Sequence, residues 1–318
     1  MKKVSVVGDT SIDHFLMLDG QDACLMGSSK EHKKELCLKY GEKITIDSEE
    51  KYFGGSALNV AVGLARFGNE VVLSSIVGSD LEGREILGYL NSQQVITDHI
   101  EVKGQTNQSF IIIFKSERTI LSHHKPRDYS RVYIPKSDII YFASAGVGSE
   151  VFIDKIRKNV HAGAKLIFNP GSYEISSFDF FKPLLAITTV FIINRSEANQ
   201  IIEDTSKIES QLEKVLRFGT KVAVITDGKN GAYFATAEGN FHMPAAPSNV
   251  VDPTGAGDAF SSGLVAGLME GKSLEESAKW GINNSASAVE SYGANSSLLD
   301  QSSIIKHLEN KILKFSRT

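Results

Sequence analysis

Cysteine is nearly missing from this chain of 318 residues: there are two, Cys24 and Cys37. They are too far apart for a CxxC pair, and no second pair completes a zinc site. A structural zinc centre and a disulfide scaffold are therefore not expected; two free thiols in a reducing compartment are. Proline is scarce as well. Seven prolines, scattered along the chain, mark no linker that would divide it. The single tryptophan, Trp280, reads as core packing rather than as a platform for a nucleotide base. No apolar run reaches the roughly 18 residues of a membrane-spanning helix. The opening MKKVSVVGDTSID has its short apolar run broken by Gly8 and Asp9, so it is not expected to be a secretory signal. There is no excess of positive charge either: 34 Lys and Arg stand against 38 Asp and Glu, for a net charge of -4. Neither a nucleic acid nor an anionic membrane surface is an expected partner, and a cytoplasmic protein is expected.

What the sequence does have is rhythm. Apolar runs rich in Val and Ile recur at 3–8, 70–78, 138–144, 164–170, 190–196 and 221–228, and each ends in Gly, Ser, Asn or Asp. Helical patterns lie at 56–67, 83–91, 151–161, 209–218 and 258–270, and Ser273 with Glu276 forms a capping box for a further helix towards 289. Strands alternating with helices predict an α/β fold: a three-layer, doubly wound, mainly parallel sheet. Two stretches break the rhythm. One, 14–52, carries a polar run with Ile44 and Ile46 alternating at its end; the other, 100–125, reads as two short strands about a polar turn at 115–118. Both are expected to leave the core as a small β-sheet appendage, with residues 1–318 forming one domain.

In a doubly wound sheet, ligands bind beyond the carboxyl ends of the strands. Those ends carry Asp9 and Asp13, Asn169, Asn194 and Glu197, and Thr226, Asp227 and Gly228. Two look-alikes fall away on counting. A Walker A motif at 267–273 would need glycine at Ala266, and a dinucleotide fingerprint at 146–151 would need glycine at Val151. Gly271 and Ser273 read instead as the end of one helix and the cap of the next.

The most informative stretch is VVDPTGAGDAFSSG, residues 250–263. Gly255, Ala256 and Gly257 leave their backbone unobstructed. If a helix begins near Asp258, their N–H groups point out of its N-terminus, where unpaired donors and the helix dipole attract anions. An aspartate there is either a helix cap or a base placed beside an anion hole. Proton removal from an alcohol that attacks phosphorus needs both features within a few ångströms.

DPTGAGDAF resembles the C-terminal signature of the ribokinase-like (PfkB) carbohydrate kinase family, and GGSALNVAVGLARFG (54–68) resembles its N-terminal signature. NRSE (194–197), TDGKNGAYF (226–234) and GDTSID (8–13) are similar to its remaining motifs and occur in family order. The resemblance implies an ATP- and Mg²⁺-dependent sugar kinase of ribokinase-like fold whose lid is built from about 14–52 and 100–125. It implies Asp258 as the base and the N–H groups of Gly255, Ala256 and Gly257 as the anion hole. Asp13, Gly54, Gly55 and Asn59 would bind the acceptor, the glycines letting it approach the backbone. Thr226, Gly228 and Asn194 would contact the nucleotide, and Asn194 with Glu197 would place Mg²⁺ through water. A K⁺ site beside the anion hole would take Asp252 and Thr254, then Ala288, Ser291, Gly293 and Ser297. The 14–52 stretch is longer than is usual for ribokinase itself, which suggests an enlarged lid or a homodimer surface.

Other residues have plainer readings. Phe260, Leu264 and Leu268 are core at helical spacing. His14 packs. His123 and His124 are adjacent and point apart. Arg118 and Lys125 are solvated lid charges. Two rivals remain: a nucleoside kinase of the same family, with Phe15, Phe110 or Phe114 clamping the base, and a catalytically silent sugar- or nucleotide-binding regulator on the same fold.

Overall fold

The computed structural model describes residues 2–18, 23–27, 35–115, 117–202, 207–310 and 313–318. Parts of the polar run in 14–52 and residue 116 of the expected turn lie outside them. The strands are β1 (Lys3–Val7), β2 (Ser11–Leu18), β3 (Ala23–Met26), β4 (Glu35–Leu38), β5 (Ile46–Gly54), β6 (Glu70–Val77), β7 (Ile100–Val102), β8 (Asn107–Phe114), β9 (Glu117–His123), β10 (Ile139–Phe142), β11 (Lys165–Phe168), β12 (Thr188–Asn194), β13 (Val222–Thr226), β14 (Ala232–Thr236), β15 (Gly239–Met243) and β16 (Ser316–Arg317).

Among the described residues, ten strands form one sheet in the order β16-β15-β14-β13-β12-β11-β10-β1-β6-β7. From β13 to β7 every pairing is parallel, and β14, β15 and β16 complete one side antiparallel. The central strands are buried on both faces, which is why they read as continuous apolar runs. Alternate residues serve opposite layers. Ile139, Tyr141, Val190 and Ile192 pack with the helices Ser56–Arg66, Leu81–Ser92, Ala256–Met269 and Leu274–Ala288. Ile140, Phe142, Phe191 and Ile193 pack with Phe152–His161 and Ile208–Arg217 on the other face.

Three helices of the first layer meet with almost no side chains between them. A Cβ at Gly63 would come within 2.4 Å of Ser262 Oγ, one at Gly263 within 2.8 Å of the Trp280 carbonyl, and one at Gly267 within 2.8 Å of Ser277 Cα. The helix Ala256–Met269 is apolar or small nearly all round because it is buried nearly all round. Phe260 and Leu264 lie in this core and Leu268 packs at its margin; Trp280 stacks on Phe67.

A second sheet, order β5-β2-β8-β9, stands apart as the lid, with β3 and β4 as a separate antiparallel ribbon. In that ribbon Cys24 pairs directly opposite Cys37, and both are free thiols. The boundaries differ from those expected. Residues 100–102 are not lid: β7 pairs in parallel with β6 at the edge of the large sheet, so the second lid segment starts at Asn107. The first reaches back to Ser11 and forward to Gly54, so Asp13 itself stands on a lid strand. The hairpin β14–β15 was not foreseen, because its residues read only as a continuation of the TDG motif.

Candidate active site

The sheet is laid down to both sides of β1, first through β6 and β7 and then through β10 and β11. The sheet neighbours of β1 are β6 on one side and β10 on the other, and the crevice at their carboxyl ends is the switch point where such sheets bind ligands. Asp9 follows β1 there; Asn194 ends β12 beside Thr226 at the end of β13.

Over this edge lies the N-terminus of the helix Ala256–Met269. It starts two residues earlier than expected. Gly255 is its N-cap at φ 76°, a left-handed conformation that suits glycine, and a Cβ there would lie 2.3 Å from Ala294 Cβ. Ala256 and Gly257 are thus the first two helical residues, whose N–H groups have no intrahelical acceptor. Gly257 is exposed with open space over its Cα. Asp258 is third in the helix, not its cap. Its Oδ2 accepts from Asn59 Nδ2 at 2.8 Å, and Ser56 also donates to it. Burial pushes the Asp258 carboxyl up to about 6, against the lowering effect of those two bonds.

Asn59 is itself held. Its Oδ1 accepts from Asn295 Nδ2 at 3.0 Å; that amide also donates to the Phe53 carbonyl, and Asn295 Oδ1 accepts from Tyr89 OH at 2.8 Å. This chain of bonds fixes which end of the Asn59 amide faces Asp258. The sequence carried no signal for Asn295 or Tyr89, which meet Asn59 only through the fold.

Asp13 is buried and raised, chiefly by burial, and its Oδ1 accepts from Ser11 Oγ at 3.1 Å. The glycines beside it do something other than expected. A Cβ at Gly54 would lie 2.1 Å from Asp13 Oδ2, and one at Gly55, at φ 92°, 2.7 Å from Thr10 Cα. They make room for the protein's own carboxylate and backbone.

Asn194 caps the helix Arg195–Ile201 in a reciprocal box: its Oδ1 accepts from the Glu197 N–H at 2.9 Å, and Glu197 Oε2 accepts from the Asn194 N–H at 2.8 Å. Both have structural work as well as any other. Glu197 Oε1 stays outside the box, and burial lifts this carboxyl to about 7, with Asp258 adding to the shift. One free carboxylate oxygen near the anion hole suits a hydrated hard cation better than direct chelation. No group of three or more His, Cys, Asp or Glu among the described residues is arranged to hold a metal.

Next to the helix N-terminus is a cavity of about 550 Å³. Thr226, Gly228 and Lys229 form one wall, Ala256 and Gly257 the floor, and Phe260, Ile282 and Val289 much of the rest. Its size and its mostly apolar lining suit a nucleotide base and sugar. Behind it, Asp252 Oδ1 accepts from the Thr254 N–H and hydroxyl at 2.9 and 2.6 Å, while its buried Oδ2 has no donor among the described residues. The Val289 carbonyl accepts from the N–H groups of Val251 and Asp252, which brings Ala288 alongside. An orphaned carboxylate oxygen there fits a monovalent cation. The other expected ligands fit less simply: the Ser291 and Ser297 hydroxyls bond each other, the Ser297 carbonyl accepts from Ser287, and Gly293 abuts the Tyr52 ring.

The aromatic candidates do not offer a clamp. Phe15 and Phe114 are buried in the lid, Phe15 edge-on to Tyr52 and Tyr292. Phe110 stacks on His14, on the face of β2 opposite Asp13.

A doubly wound sheet with a glycine turn at a helix N-terminus, a neighbouring carboxylate and a nucleotide-sized cavity has the make-up of a phosphotransferase of the ribokinase type. The pfkB family carbohydrate kinase model matches residues 1–301, and the chain belongs to that family of ATP-dependent sugar and nucleoside kinases. It is similar to the ATP-dependent 6-phosphofructokinase of Thermoanaerobacterium thermosaccharolyticum, 29% identical over 80% of this chain and 84% of that protein. It is also similar to the ribokinase of Haemophilus influenzae, 27% identical over 86% of this chain and 92% of that one. Among solved structures, the nucleoside kinase of Methanocaldococcus jannaschii superposes with a TM-score of 0.82 at 21% identity, over 98% of this chain and 99% of that one. The ribokinase of Thermotoga maritima gives 0.80 at 20% identity, over 98% and 100%. No helix of the described residues is long and apolar enough to cross a membrane.

Proposed function

We propose that this kinase transfers the γ-phosphoryl group of ATP, with Mg²⁺, to a hydroxyl of a sugar, in the cytoplasm where ATP is at hand. Residues 1–318 act as one kinase domain, and the lid strands, β2 and β5 with β8 and β9, close over the acceptor. Asp258 takes the proton of the attacking hydroxyl. The N–H groups of Gly255, Ala256 and Gly257 hold the charge that develops on the transferring group. Asp13 and Asn59 place acceptor hydroxyls, with Gly54 and Gly55 giving Asp13 its room. Thr226 and Gly228 hold the nucleotide. Asn194 and Glu197 would hold Mg²⁺ through water, which supplies charge neutralisation at the phosphates. Asp252 and Thr254, with oxygens from 288–297, would hold K⁺.

The observation that carries this reading is Asp258. It follows directly on Gly257, whose N–H at the helix N-terminus has no intrahelical acceptor, is oriented by Asn59, and stands next in the chain to Ala256 and Gly257, which line the nucleotide-sized cavity. A sugar is favoured over a nucleoside because none of Phe15, Phe110 and Phe114 presents a free ring face beside Asp13. The reading includes a homodimer through the lid: the edge strand β9 exposes Ile120 and Leu121, which a second copy would cover. Light scattering tests that part. The reaction is tested by ADP release over pentoses, hexoses, sugar phosphates and nucleosides. Acceptor binding without ADP formation under every condition would sustain the silent regulator instead.

A further inference from the structure

Four carboxyl groups converge on the acceptor end of the crevice, and three are supplied with donors by the protein. Glu174 is fully buried and saturated: Oε1 accepts from the N–H groups of Ala145 and Gly146 and from Ser149 Oγ, and Oε2 from the Gly171 N–H. Asp13 has Ser11, and Asp258 has Asn59 and Ser56. Asp9 is the exception. It is only 5% exposed, yet no donor among the described residues reaches its Oδ1. Its Oδ2 lies 3.6 Å from His124 Nδ1.

That contact does not serve as an ion pair. Burial, with Glu174, Asp258 and Asp13 adding to it, lifts Asp9 to about 8, and burial with Arg127 and His123 lowers His124. Both are uncharged near pH 7. A buried polar atom without a partner is costly and calls for an explanation. Strain is not one, because the backbone here is well tied: the Asp9 N–H donates to the Ser144 carbonyl at 2.8 Å. The place supplies one. Asp9 follows β1 at the switch point, and its electrostatic neighbours are the proposed base, Asp258, and the acceptor-binding Asp13.

We infer that Asp9 is a second acceptor-binding carboxyl, which receives a hydroxyl of the sugar next to the one held by Asp13, with His124 of the lid closing over it. The inference rests on the kinase reading and narrows its substrate. The part of the acceptor that enters this end bears neutral hydroxyls, since a phosphate or carboxylate there would be set against Asp13 and Asp258. His124 stands just past β9 and Asp9 just past β1, so the pair also bridges lid and core.

The test uses the full-length enzyme with D-ribose, D-fructose and adenosine as acceptors. For the acceptor that is turned over, Asp9→Ala should raise its KM at least about tenfold, the loss of a hydrogen bond to a carboxyl group. The KM for ATP should stay within about twofold. Asp9→Asn keeps an acceptor oxygen and should recover most of the loss, with a thermal midpoint no lower than native. An unchanged acceptor KM in Asp9→Ala overturns the inference. So does an equal rise in the ATP KM, or a lower midpoint in Asp9→Asn, which would mark Asp9 as a structural residue. Failure of the native enzyme to phosphorylate any acceptor in the full screen of pentoses, hexoses, sugar phosphates and nucleosides would overturn the kinase reading itself, and this inference with it.

Discussion

Replacing Asp258 by Asn is the sharpest perturbation of this site, because it changes the charge and little else. Asn has the same shape, and its amide oxygen can still accept from Asn59 Nδ2, which lies 2.8 Å from Asp258 Oδ2. The helix cap is untouched, since the cap is Gly255. What goes is the capacity to take a proton. A positioned general base contributes about 10²–10⁴ in rate, so kcat should fall about a thousandfold, some 4 kcal/mol at 1.36 kcal/mol per decade. With a carboxyl pushed up to about 6, native kcat/KM should fall tenfold per pH unit below that value; the residual activity of Asp258→Asn should lack this limb. The sign for stability is opposite. The folded state holds this proton more tightly than the unfolded chain, so stability declines as pH rises from 3.8 to about 6 and the full cost is present above that. The neutral Asn escapes it, and its unfolding midpoint at pH 7 should be no lower than native. A coupled ADP assay and thermal melts measure both. If a folded Asp258→Asn enzyme keeps activity within tenfold of native, Asp258 is not the base.

The neighbouring glycines should separate folding from catalysis. Gly257→Ala meets no protein atom within 4 Å, so its midpoint should stay near native while kcat falls at least about tenfold from obstruction of the anion hole; Gly255→Ala, at φ 76° and against Ala294, should lose about 2–4 kcal/mol in chemical denaturation. Gly267→Ala should lose about 1–3 kcal/mol by overpacking against Ser277 in the same assay. Glu197→Gln keeps an oxygen for the capping box but not its charge, so it should leave the midpoint unchanged and raise the Mg²⁺ concentration for half-maximal rate about tenfold. Asp252→Asn should abolish any activation on exchange of Na⁺ for K⁺, read from initial rates at constant ionic strength.

The six parallel strands β1, β6, β10, β11, β12 and β13 of the large sheet were legible in the sequence because they are largely buried and read as apolar runs; each was placed within about two residues. The lid was legible only as a disturbance. β7 was misassigned because its three residues, Ile100–Val102, are too few to show which sheet edge they join. The hairpin β14–β15 lacked the period of a helix and was hidden by the motif that precedes it. Local signals located the groups that are close in sequence: the glycine turn with Asp258, Asn194 with Glu197, Asp252 with Thr254. They failed where a role depends on distant contacts. Asn295 reaches Asn59 across 236 positions, and Glu174 fills the donors of the 145–149 turn from 25 or more residues away. They also gave no sign that the missing Cβ of Gly54 leaves space for the Asp13 carboxylate.

The glycine contacts at Gly63, Gly263 and Gly267 bear on how this enzyme can change over evolutionary time. At these glycines the helix that carries Asp258 meets Leu274–Ala288 nearly backbone to backbone and Ser56–Arg66 across the short Ser262 side chain, so few rotamers lie between them to absorb a shift. Displacement of any one helix is passed undiminished to the base and its anion hole. Variation in acceptor choice is then steered away from this layer and towards the lid sheet, whose strand β9 is exposed along most of its length.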